Sequence, residues 1–242
     1  MKLRIDLNCD LGEGAPHDAA LMPLITSASI ACGAHAGDLA TMRDTVALAG
    51  RHGVAIGAHP GFADREHFGR RELALSPAGV RESVRRQIEL LRSLSPLRHV
   101  KPHGALYNMA ARDAAMAGAI VSAVREIDPA LIIFAPPASE LARTALACRL
   151  RVAHEVFADR TYQRDGSLTP RSEPGALIRD EHAAVAQVLR MIRDGVVRAT
   201  DGTDIPIIAD TVCVHGDGPS PVEFVQRLRA EFAAAGIEVC AP

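Results

Sequence analysis

The chain has 242 residues, enough for one α/β barrel or one large α/β domain with a full core. Apolar residues make up 48% and charged residues 23%, the balance of an ordinary soluble globular protein. A net charge of −2 argues against the basic face that a nucleic-acid partner requires, and no apolar run reaches the length that spans a bilayer.

Met1–Asp6 carries no apolar core of signal-peptide length. The five cysteines are odd in number and show no Cys-x-x-Cys spacing, which points to a reducing cytoplasm. Cys9, Cys32 and Cys213 are expected as small buried hydrophobes rather than nucleophiles.

In chain order, Leu3, Ile5 and Leu7 alternate with polar residues, which predicts a strand. Asn8-Cys9-Asp10-Leu11-Gly12-Glu13-Gly14 is expected just beyond it. Ser29–Ala31 is a second short strand. Asp38 is predicted to cap a helix bearing Leu39, Met42, Val46 and Ala49 on one face and stopped by Gly53. The run Val54–Ala58 ends in His59-Pro60-Gly61. A long loop, Pro60–Leu75, then holds Arg65, Arg70 and Arg71. Ser76-Pro77 opens a helix with Val80, Val84, Ile88 and Leu91 at helical spacing. His99–Lys101 leads into Pro102-His103-Gly104.

Asp113–Ile127 is predicted as a helix, Leu131–Ala135 as a strand and Ser139–Leu150 as a helix. Val152–Val156 ends in Phe157-Ala158-Asp159-Arg160. A second long loop, Asp159–Pro174, holds Arg160, Tyr162, Arg164 and Arg171. Loops of that length in a compact domain are usually functional lids or disordered. Arg179–Ile192 is a further helix, and Val212–Val214 ends in His215-Gly216-Asp217. Ser220-Pro221-Val222-Glu223 has the form of a capping box opening the last long helix. Roughly seven strands alternate with helices, which implies a parallel sheet with right-handed crossovers. No linker divides the chain, so residues 1–242 are expected as a single catalytic domain.

Chemistry concentrates at strand ends. His59, His103 and His215 each close an apolar run with glycine following at once or close behind, which lets a ligand approach closely. Polar groups repeated at the carboxyl ends of strands build one active site in a barrel or parallel sheet. Asp10 and Glu13, among glycines, suit a general base or a metal ligand, with a plain helix N-terminus as the alternative. A divalent metal held by histidines plus Asp6, Asp10 or Glu13 is a weaker expectation, with Asp10, His59 and His103 as the candidate set. His35, between Gly33 and Gly37, is assigned to the site. Lysine occurs only at Lys2 and Lys101. Lys101, two residues before His103, suits a substrate carboxylate, with Arg160 and the loop arginines as alternatives. Asp210 and Asp217 bracket His215 and are candidates to orient it. No phosphate-binding Gly-x-x-x-x-Gly-Lys loop, Gly-x-Gly-x-x-Gly or Gly-x-Ser-x-Gly is present, so nucleotide binding does not follow from the residues.

These segments resemble the LamB/YcsF family. The matching stretches are Asp6–Gly14, Ala31–Asp38, Gly57–Gly61, Phe68–Arg71, His99–Asn108, Glu155–Arg160 and Cys213–Asp217, in the same order and over nearly the whole chain. Ala34, where the family is expected to carry an aromatic residue, and the short stretch before His17 depart from the pattern without removing an acid or a histidine.

The resemblance implies a distorted seven-stranded β/α barrel of the glycoside hydrolase/deacetylase type. It implies opening of the 5-oxoproline lactam to L-glutamate with ATP as co-substrate, in a complex with partner subunits B and C. On that basis Asp10, Glu13, His59, His103 and His215 are the expected catalytic residues. His35, Lys101, Glu155 and Arg160 are expected at the substrate. Two competing possibilities are a metal-dependent sugar deacetylase acting alone and a non-catalytic subunit that shapes a complex.

Overall fold

Strands buried on both faces need cover on both sides, and this chain supplies it by closing the sheet on itself and ringing it with helices. The computed structural model describes residues 3–214 and 220–242. Its strands are β1 (Arg4–Leu11), β2 (Ser27–Ala31), β3 (Ala55–His59), β4 (His99–Val100), β5 (Ile132–Ala135), β6 (Arg151–Phe157), β7 (Val196–Arg198), β8 (Asp204–Pro206), β9 (Thr211–Val214) and β10 (Glu238–Val239). Seven of them, β1 to β6 and then β9, pair in parallel and in order. β9 closes the ring, with Glu155 opposite Thr211 on β6 and Asp6 opposite Thr211 on β1. β10 extends the barrel beside Arg4 and Ile5 of β1, while β7 and β8 form an antiparallel pair of their own. This is the predicted barrel.

The helices are α1 (Asp18–Leu21), α2 (Leu39–His52), α3 (Pro77–Arg92), α4 (Gly104–Arg112), α5 (Ala114–Ile127), α6 (Glu140–Ala147), α7 (Glu181–Asp194) and α8 (Pro221–Ala234). Their starts follow the capping chemistry. The Asp38 carboxylate accepts from the Thr41 amide at 2.8 Å, and α2 ends at Gly53 in the left-handed region. Ser76, Asp113 and Ser139 cap α3, α5 and α6 in the same way. The apolar stripe of α3, from Val80 to Leu91, is buried.

Four local expectations change. β1 continues past Leu7 to Leu11, so Asn8 and Asp10 are strand residues, because each finds a β2 partner in register. Helix α4 is additional to the predicted elements; it is separated from α5 only by the extended Asp113. Ser220 precedes α8 as predicted, but its side chain makes no capping bond. The β7–β8 pair and β10 are also additions to the predicted strands.

The barrel interior is partly polar. Asp6 accepts from the hydroxyls of Thr26, Ser27 and Thr211 at 2.6–2.8 Å. One layer higher, the His99 ring stacks on Phe134 at 4.0 Å, with Ser29 Oγ 3.1 Å from its Nε2. Gly57 leaves room for that ring: a Cβ there would lie 2.1 Å from His99 Nε2. His99 therefore occupies the floor beneath the strand ends.

Candidate active site

The carboxyl ends of the strands converge on one polar cluster. Asp10 lies near the end of β1, and Glu13 follows in the turn between two glycines of positive φ, Gly12 and Gly14. His35 comes from the turn after β2, and His59 is the last residue of β3. Lys101 and His103 lie between β4 and α4, Tyr107 on α4, Glu155 on β6 and Cys213 on β9.

Glu13 sits at the centre of three imidazoles. Its Oε1 is 2.9 Å from His35 Nε2, 3.3 Å from His103 Nδ1 and 3.7 Å from His59 Nε2. His35 and His103 stack face to face at 3.8 Å, and His59 meets both edge-on. Phe68 covers this group by edge contacts to His35 and His103, with the Arg70 guanidinium 5.2 Å above its ring. Gly69 permits the covering loop to approach: a Cβ there would lie 2.8 Å from His35 Cβ, and its φ is +63°. The expectation that Pro60–Leu75 serves the site rests on these contacts.

A second cluster centres on Lys101, whose side chain is 3% exposed. Its ammonium lies 2.7 Å from Glu155 Oε1 and 2.8 Å from Asp10 Oδ1. It also donates to Asn8 Oδ1 at 3.2 Å and approaches Cys213 Sγ at 3.1 Å. Glu155 accepts from Tyr107 Oη at 2.6 Å and from Asn8 Nδ2 at 3.1 Å. Asp10 joins the two clusters, because its Oδ2 is 3.4 Å from His59 Nε2.

The electrostatics follow from burial. Desolvation, with the like charge of Asp10, pushes the Glu13 carboxyl up to about 7. Burial lowers His35 and His103 to about 4 and holds His59 well below its ordinary value. Burial also opposes charge on Lys101, but the acids facing it, Asp10 first, reverse this and hold it well above the ordinary lysine value.

Asp10, Glu13, His35, His59, Lys101, His103 and Glu155 thus come together. Other candidates make different bonds. The Arg160 guanidinium donates to the backbone oxygens of Thr169 and Ala176, so these bonds tie it into its own loop. Asp6 lies deeper, with both carboxylate oxygens accepting hydroxyl bonds, and is not a ligand of the cluster. Asp210 Oδ2 lies 2.7 Å from His154 Nδ1, and its expected partner His215 is not among the described residues. His215 and Asp217 lie outside the described residues. Cys9, Cys32 and Cys213 are buried as expected, Cys213 with its Sγ 3.1 Å from the lysine ammonium.

Asn8, Tyr107 and Phe68 join the site without having been expected there. Asn8 and Tyr107 lie inside stretches singled out by their sequence, but nothing in their own spacing shows that they meet Glu155 across 147 and 48 residues.

Comparison with known proteins shows the family and the fold. A curated protein from Geobacillus kaustophilus, named as the A subunit of 5-oxoprolinase, is 54% identical over 98% of this chain and 96% of its own length. A protein of the same name from Bacillus subtilis is 51% identical over the same shares. The crystal structure of a lactam utilization protein from Thermus thermophilus superposes with a TM-score of 0.94. It is 43% identical and covers 99% of this chain and 100% of its own. A family 4 carbohydrate esterase from Streptomyces lividans, 9% identical with a TM-score of 0.54 over 98% of this chain and 91% of its own, shares the fold alone. The profile of the LamB/YcsF family matches residues 5–242, which include every strand end of the cluster, and the chain belongs to that family.

Proposed function

We propose that this chain is the A subunit of a 5-oxoprolinase. It would open the 5-oxoproline lactam to L-glutamate with ATP as co-substrate, in a complex with 5-oxoprolinase subunits B and C. One observation carries the proposal: relatives at 49–54% identity bear that name over 97–98% of the chain. The chain's own geometry adds a strand-end cluster suited to amide hydrolysis. No helix among the described residues is long and apolar enough to cross a membrane, and the five cysteines are free, in keeping with a cytoplasmic single catalytic domain.

Opening a five-membered lactam needs a nucleophile, a positive environment for the carbonyl oxygen and a proton for the departing nitrogen. In the proposed mechanism Asp10 is the general base. Lys101 neutralises it from one side, and its other oxygen faces His59. Glu13, His59 and His103 line the pocket beside Asp10, and His35 orients Glu13. Phosphorylation of the lactam oxygen by ATP would activate the ring carbon: water adds there, the protonated ring nitrogen departs to leave a γ-glutamyl phosphate, and hydrolysis of that acyl phosphate releases L-glutamate and phosphate, which explains the coupling. Since Lys101 is already placed on two carboxylates, we assign the substrate carboxylate to Arg70 at the rim, whose charge reaches Glu13 and His35. Lys101 and Glu155 then support the floor of the substrate pocket rather than grip the substrate. Arg160 acts by shaping its loop, and His215 keeps its catalytic assignment from the sequence.

The test is ATP-dependent glutamate release by the three purified subunits, with each omitted in turn. Turnover requiring all three is expected. Full turnover without this chain, or by this chain alone, would overturn the proposal.

A further inference from the structure

Backbone carbonyls fix the tautomers of two site histidines. His59 Nδ1 lies 2.7 Å from the Lys101 carbonyl oxygen, and His103 Nε2 lies 2.8 Å from the Phe68 carbonyl oxygen. A carbonyl only accepts, so these nitrogens carry the ring protons in the neutral imidazoles. The opposite nitrogens, His59 Nε2 and His103 Nδ1, then carry lone pairs, and they face each other at 2.9 Å. Two lone pairs at that distance form no hydrogen bond. Glu13 Oε1 adds a third electron-rich atom 3.3 and 3.7 Å away. The arrangement is electrostatically incomplete without a cation. Both rings are buried, which disfavours an imidazolium as that cation.

We propose that His59 Nε2, His103 Nδ1 and Glu13 Oε1 form the binding site of one divalent first-row transition metal ion, with a position left open toward Asp10. Two imidazoles and a carboxylate make a ligand set with three protein donors and an open position. Donors of a tetrahedral zinc site stand about 3.4 Å apart, given metal–ligand lengths near 2.1 Å. The separations here, 2.9, 3.3 and 3.7 Å, bracket that value. The two carbonyls that hold the tautomers are the outer partners that ligating histidines ordinarily have.

His35 belongs to the outer layer, although its Nε2 also lies in the cluster. Its ring is parallel to His103 within 1°, at 3.8 Å. An ion in the plane of His103 therefore lies a full stacking distance off the plane of His35, where His35 has no lone pair. His35 instead donates from Nε2 to Glu13 Oε1 at 2.9 Å and fixes the carboxylate. Asp10, expected from the sequence as a ligand, is displaced from that role by Glu13, which reaches both lone-pair nitrogens. When bound, such an ion supplies a Lewis acid at a carbonyl or phosphoryl oxygen. The site stands on this geometry alone and does not depend on the identity of the lactam substrate.

The experiment is metal titration of the full chain after chelator treatment, with no activity readout. Zn²⁺ is followed by calorimetry and elemental analysis, and Co²⁺ by its visible absorption. One ion per chain is expected, with micromolar affinity or better and a nitrogen/oxygen-type cobalt spectrum. His59→Ala and His103→Ala should each weaken binding at least about 100-fold, and His35→Ala about 10-fold or less, with circular dichroism confirming folded variants. Absence of stoichiometric Zn²⁺ and Co²⁺ binding by the folded wild-type chain would overturn the proposal. Binding that survives both histidine substitutions, which would place the ion on the cysteines, would overturn it too.

Discussion

Replacing Lys101 with methionine keeps the aliphatic stem and removes a buried ammonium that faces two carboxylates. The ammonium lies 2.7 Å from Glu155 and 2.8 Å from Asp10, and Asn8 and Cys213 complete its surroundings. Breaking a buried pair by deleting one partner costs about 3–5 kcal/mol, because the partner charge is left uncompensated. For a chain of 242 residues that converts to a loss of about 6–20 °C in Tm.

The effect has a pH signature. In the wild type, Lys101 is held above its ordinary value, so its contribution is fully present below the unfolded lysine pKa and is lost only as pH rises through the raised value. It is therefore constant between pH 5 and 8. In the variant, an unpaired interior carboxylate takes up a proton more readily than in the unfolded chain. The deficit should then shrink as pH falls toward 5 and grow toward 8. Urea unfolding of both proteins at pH 5, 6.5 and 8 measures this directly. A deficit below about 1 kcal/mol at pH 8, or one that does not vary with pH, would refute the assignment of Lys101 as the counter-charge of Asp10 and Glu155.

Asp10→Asn should cut turnover of the assembled complex by about 10²–10⁴ while leaving Zn²⁺ affinity within about tenfold, since a base is lost but no ligand; parallel loss of both would make Asp10 a ligand. Glu13→Gln should abolish both turnover and stoichiometric metal binding. Metal affinity should fall as pH drops below about 7, because the metal-free Glu13 carboxyl is raised to that value and its proton competes with the ion; calorimetry at pH 6 and 8 checks the sign. Arg70→Met should raise KM for 5-oxoproline about tenfold or more with little change in kcat, a charge-assisted bond being worth roughly 1.5–3 kcal/mol; an unchanged KM would place the carboxylate elsewhere. Gly57→Ala should destabilise the fold by about 3 kcal/mol or more, because its Cβ would lie 2.1 Å from His99 Nε2, and His99→Ala in the same chain should restore much of the loss, read as Tm.

What the residues determine by themselves is local. Alternation in Leu3–Leu7, helical spacing in Val80–Leu91 and the helix starts at Asp38 and Ser76 act over a few residues, and the structure keeps them. His59 and His103 are legible as members of one strand-end cluster because residues at the carboxyl ends of the strands converge at one mouth of a parallel barrel. Closure of the barrel decided the rest. It brings Asn8, Lys101, Glu155 and Cys213 from β1, the end of β4, β6 and β9 into one polar contact, which no spacing along the chain encodes. Lys101 stands out in the sequence as one of two lysines, yet only the tertiary structure shows that it faces protein carboxylates. Arg160 has an equally suggestive position in sequence and is tied instead to its own loop, because a long guanidinium bonds to whatever carbonyls the fold places around it. The tautomers of His59 and His103 are set by two backbone oxygens: that of Lys101, which exists beside His59 only because β4 pairs with β3, and that of Phe68, which reaches His103 only once the loop after β3 lies across the barrel mouth.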